Sequence, residues 1–171
     1  MTMVRERGVT LVELLVVISI IGILVIALGF SYVGWQGAYK VEKATKDIYA
    51  DLMDARGRAI TRGLTYFADF NTPAPPAGQG RYRIIEDVNE NGVNDDAPLP
   101  SFPKTIEYVI NWTGGGAITF DRRGTMTGSG TIQLISTTNP DYDCIVIGPA
   151  APATRINMGQ WNGGTLNCDQ R

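Results

Sequence analysis

A single carboxylate, Glu13, interrupts the apolar run from Val9 to Phe30, whose other polar members are Thr10 and Ser19. An isolated carboxylate in a membrane helix costs about 2–3 kcal/mol and is kept there for a partner. The chemistry it can do is ion pairing. If the backbone is cut between Gly8 and Val9, Glu13 becomes the fifth residue of the shortened chain, one helical turn from a new α-amino group. A neighbouring copy's ammonium could then neutralise it among packed apolar helices.

A second group of oxygen donors lies in EDVNENGVNDD. Asp87, Asn89 and Asn91 alternate, Gly92 permits a sharp turn, the Val93 carbonyl follows, and Asp95 closes the series. This is the order of the first nine positions of an EF-hand calcium loop, so calcium is the cofactor these residues suggest. The pattern departs at Pro98, where a bidentate Glu would complete the shell, so Asp96, Glu90 or another loop would have to substitute. The same composition also makes a plain solvated Asn-Gly turn. The chain has no histidine, the commonest general base and metal-ligating side chain. No nucleophile-base constellation, phosphate loop or supported carboxylate pair is evident, so an enzyme is not expected. Cys144 and Cys168 are the only cysteines; without CxxC spacing, they read as one disulfide formed outside the cytoplasm.

Several elements must position these groups. Residues 1–8 form a short basic leader with Arg5 and Arg7, and 9–30 would span roughly 33 Å as a helix, enough for a bilayer core. The flanking arginines keep the leader cytoplasmic and place the chain beyond Phe30 outside. Residues 31–63 keep helical spacing, with Val41, Ala44, Ile48, Leu52, Ala55 and Ala59 on one face and Gly63 as the stop. Tyr32, Trp35 and Tyr39 sit where an interfacial aromatic belt belongs. From 64 to 171 the period changes to two: strands are expected at 64–70, 81–87, 105–111, 117–121, 131–136 and 144–148, with a tight connection at Asp121–Gly124. One long helix followed by strands is α+β, a small antiparallel sheet head packed on the helix. The plainer readings of the N-terminus are a secretory signal cut after Gly29 and an uncleaved anchor, neither of which has a use for Glu13.

RERG followed by VTLVELLVVISIIGILVIA resembles the prepilin signature of type IV pilins and pseudopilins. The resemblance implies a prepilin peptidase that cuts after Gly8 and methylates the new terminus at Val9, where Phe is usual. ITFDRRGTMTGSGTIQL, then CIVIG and a second cysteine, is similar to the GspH/FimT group of minor pilins, and ARGRAITRG at the helix end fits it as well. It implies the type IV pilin fold and a structural subunit of a type IV pilus or type II secretion pseudopilus. The implied partners are other pilin subunits, reached through the N-terminal helix, the peptidase and an inner-membrane assembly platform. The head would be periplasmic before assembly. Some members of that group bind DNA through a Gly-Arg-x-Arg motif. Here APATRINMG keeps only Arg155, with Thr154 and Asn157 in place of the motif's Gly and second Arg. One arginine neutralises too few phosphates, and the net charge is −2, so nucleic acid is not an expected partner. The other functional reading is a pilus-tip module for DNA uptake, adhesion or cargo.

Overall fold

The structure, a computed structural model, describes residues 9–148, 155–165 and 167–170, with 27–33 described as helix backbone only. By packing, the chain divides into two units, Met1–Gly37 and Ala38–Arg171.

Helix α1 runs Leu11–Arg62. Thr10 starts it: its Oγ1 accepts the Glu13 amide N–H at 3.3 Å, and its carbonyl accepts that of Leu14 at 3.2 Å. Thr10 and Glu13 have the T-x-x-E spacing of a capping box. At the other end Gly63 adopts φ +67° and its N–H returns to the Ala59 carbonyl at 3.0 Å, the left-handed cap expected of glycine there.

In the second unit the helix buries Val41, Thr45, Ile48, Leu52, Ala55 and Ala59, which recur three and four residues apart. Thr45 takes the place expected of Ala44, which is half-buried. It tolerates burial because its hydroxyl donates to the Val41 carbonyl at 3.0 Å.

Among the described residues the strands form two five-stranded antiparallel sheets rather than one. The first has the order β3-β2-β1-β5-β6, from β1 (Tyr66–Phe70), β2 (Gly80–Glu86), β3 (Lys104–Ile106), β5 (Ile118–Phe120) and β6 (Met126–Thr127). The second has the order β10-β9-β8-β7-β4, from β4 (Val109–Trp112), β7 (Gly130–Ile135), β8 (Cys144–Ile147), β9 (Ile156–Asn162) and β10 (Asn167–Gln170). Both sheets share one core with the helix, in which Leu52, Ile84, Phe120, Ile132 and Ile145 are buried together.

Two expectations need correction. The single strand expected over 105–111 is two, because the chain turns at Glu107–Tyr108 and passes from the first sheet to the second. Gly80 makes room for that corner: a Cβ there would stand 2.6 Å from the Tyr108 carbonyl oxygen and 2.5 Å from Ile110 Cγ1. The expected strands likewise end at 148, whereas β9 and β10 follow; their Asn, Gly and Gln residues lack strand propensity, but β9 pairs with β8 and β10 with β9.

Polar contacts fasten the sheet to the helix. Tyr82 donates its hydroxyl hydrogen to Asp51 at 2.6 Å, and Lys104 donates to both oxygens of the same carboxylate at 2.9 and 2.7 Å. Burial, reinforced by that carboxylate, pushes the Tyr82 phenol far above its usual range. Arg62 grips both oxygens of the buried Glu86 at 3.0 and 2.9 Å.

Candidate functional site

Gly8 lies outside the described residues, while Val9 and Glu13 both stand at the surface of the first unit. Every large apolar side chain from Val9 to Ile26 is 48–79 % exposed, a surface that water does not favour and that calls for an apolar partner. Among the described residues no helix is long and apolar enough to cross a membrane. The side chains of 27–33, which belong to the expected 9–30 and 31–63 stretches, are not among them.

The loop after β2 closes on itself. Asp87, 2 % exposed, accepts the Asn91 and Gly92 amide hydrogens at 3.1 and 2.9 Å, one on each oxygen. Asn89 Oδ1 accepts from the Asn91 amide at 3.0 Å and Asn91 Oδ1 from that of Val93 at 2.7 Å. Asp95 accepts the Asn91 side-chain amide at 3.3 and 3.1 Å. Asp96 accepts from the Val88 amide at 2.8 Å. The oxygen types suit a hard cation, yet those of Asp87, Asn89, Asn91 and Asp95 already face N–H donors. Among the described residues no group of three or more His, Cys, Asp or Glu side chains is placed to hold a metal ion.

The expected disulfide is present, joining Cys144 to Cys168 with 6.1 Å between their Cα atoms. It ties β8 to β10 over the strand between them, because Cys144 is opposite Gly159 and Gly159 is opposite Gln170. Gly159 is the residue that allows this. A Cβ at that position would collide with the Asp169 carbonyl oxygen and stand 3.0 Å from Cys168 Sγ.

Asp143, next to the disulfide, accepts the Trp161 amide hydrogen at 2.6 Å. Its half-burial raises its carboxyl pKa above 3.8, partly opposed by that N–H and its own. A carboxyl with a raised folded-state pKa binds protons more tightly in the native state, so its effect on stability worsens as pH rises through the window just above 3.8. Relative to Asp143→Asn, the wild-type head should therefore gain stability as pH falls from 7 through that window. Melting temperatures of both proteins across this range give the slope, and a pH-independent difference contradicts it.

Arg155 is exposed, and the stretch 149–154 that carries Thr154 lies outside the described residues. Arg122, which could have added to a cationic patch, is spent on Glu90 at 2.6 Å.

Sequence reading missed three features: the Thr10 cap, the Asp51–Tyr82–Lys104 network, and Gly159 as the gap the disulfide crosses. The first was visible as spacing. The other two depend on residues that meet only in the fold.

Two family models match the chain: that of type II transport protein GspH over residues 44–151, more than half of the 171, and that of the prokaryotic N-terminal methylation motif over residues 3–29. No curated protein and no solved structure matches. The GspH match covers the helix's buried face from Thr45 onward and both sheets through β8, and the methylation motif brackets Gly8 and Glu13. With a long N-terminal helix and an antiparallel head, the chain belongs to the GspH family and is a minor pilin or pseudopilin, a structural subunit of a type IV pilus or type II secretion pseudopilus.

Proposed function

We propose that this subunit is held in the inner membrane by residues 9–30, is cut between Gly8 and Val9 by a prepilin peptidase, and is methylated on the new N-terminus. An assembly platform in the same membrane then passes it into a filament. There the Val9–Ile26 surface packs against neighbouring helices, and Glu13 meets a neighbour's ammonium. The chain works by packing and has no catalytic activity of its own. The observation that supports this most directly is the apolar surface from Val9 to Ile26, exposed throughout and carrying the one carboxylate. Intact mass of the protein extracted from its native membrane tests it. The expected species begins at Val9 and carries one added methyl group, and a mature chain beginning at Met1 or Phe30 would overturn the proposal.

A second reading, calcium at the 87–96 loop, has its own support. Asp87 is buried, and among the described residues it pairs with no Lys or Arg, although buried charges are normally paired. Asp87, Asn89, Asn91, the Val93 carbonyl and Asp95 would hold the ion, which would supply charge neutralisation and fix the loop. At about a hundred times its dissociation constant, calcium should stabilise the chain by about 2.7 kcal/mol, roughly 10 °C of melting temperature. Equal melting in calcium and in chelator removes this reading.

A further inference from the structure

Strand β3 is an edge: among the described residues it pairs with β2 and has no strand on its other side. Two adjoining hollows, of about 490 and 370 Å³, lie between this edge and helix α1. They share Asp47, Thr105 and Ile106, so together they form one trough. The helix supplies small residues to it, Ala44 and Ala50, where larger ones would fill the space.

The charges along the trough fall into two sets. Asp51 and Lys104 are paired with each other, and Tyr82 donates to the same carboxylate. Lys40, Lys43, Asp47 and Glu107 line the trough as well, and among the described residues none of them has a side-chain ion pair or hydrogen bond. The unpaired set thus holds two cations and two anions. An open strand edge presents a row of main-chain N–H and C=O groups that accepts another extended chain.

We propose that this trough receives an extended segment of a different pilin-family subunit, which adds to the first sheet beside β3. Its inward side chain would be small and apolar, to sit over Ala44 and Ala50. It would be flanked by an acidic residue facing Lys40 and Lys43 and a basic one facing Asp47 and Glu107. A nucleic acid fits poorly, because Asp47 and Glu107 would repel phosphate. A small ligand finds little to converge on, since Asp51, Tyr82 and Lys104 already satisfy one another. The inference rests on the subunit reading above, which makes fellow subunits the available strands. A β3 of three residues offers only a short ladder, so the paired charges would select the partner.

The test is site-specific photo-crosslinking in the full chain, assembled with its own machinery, with a photoreactive amino acid at Thr105 or, separately, at Val16 in the N-terminal helix. The expected Thr105 adduct joins this chain to another pilin-family subunit, maps to an extended segment of it, and falls severalfold in the double variant Lys40→Glu, Lys43→Glu while the Val16 adducts persist. Val16 adducts without any from Thr105, or Thr105 adducts indifferent to charge reversal, would overturn the inference. Absence of adducts from both positions removes the subunit reading and this inference with it.

Discussion

Valine at position 159 should prevent Cys144 and Cys168 from joining and lower the melting temperature by roughly 10 °C or more. The estimate comes from two steps. Closing a loop with a sequence separation of 24 residues stabilises by about 3 kcal/mol in the chain-entropy model. For a head of this size, each kcal/mol is worth roughly 3–5 °C. Valine adds a clash with the Asp169 carbonyl that serine at the cysteines would not, so Gly159→Val should melt below Cys144→Ser. Thiol titration under denaturing, non-reducing conditions checks the cause. An oxidised Gly159→Val protein that melts like wild type would show that β9 and β10 can move aside, contrary to the close approach of the two strands.

Glu13→Ala should nearly abolish incorporation into filaments while leaving the head's melting unchanged. Two readouts are expected to move in opposite directions. Removing the carboxylate relieves about 2–3 kcal/mol of insertion cost, so the membrane-extractable pool should hold or rise. If the lost pairing with a neighbour's ammonium is of similar size, subunit affinity falls roughly 30- to 150-fold. The assembled fraction, measured in sheared filaments against the membrane pool, separates this from a folding defect. Wild-type assembly by Glu13→Ala would contradict the pairing role.

The parts of the fold that were legible in the sequence carry their cause locally. Gly63 ends the helix because only a residue at ease with positive φ closes that turn, and the structure places its φ at +67°. The hairpin at Asp121–Gly124 is equally local, with Asp121 accepting the amide hydrogens of Arg123 and Thr125, both at 2.8 Å. The cysteine pairing followed from count and compartment. The features that were missed depend on tertiary partners. TIEYVIN alternates like one strand, and only the approach of Gly80 shows that it bends between two sheets. INMGQWN has no strand signal of its own, and β8 supplies its order. The oxygen-rich loop was legible as a calcium pattern, but residue types could not show that its oxygens face the loop's own N–H groups.

The corner at Glu107–Tyr108 limits how this fold can vary in length. Ile106 and Ile110 belong to the same core on either side of it, one in the first sheet and one in the second. Side chains alternate with a period of two, so one inserted or deleted residue between them would turn either β3 or β4 inside out. The loop segments 72–79, 88–97 and 137–142 lie outside the strands and the main-chain bonds that flank them, so insertions there are absorbed locally. Natural variants of this architecture should gain and lose residues in those loops, whereas the passage from β3 to β4 keeps its length.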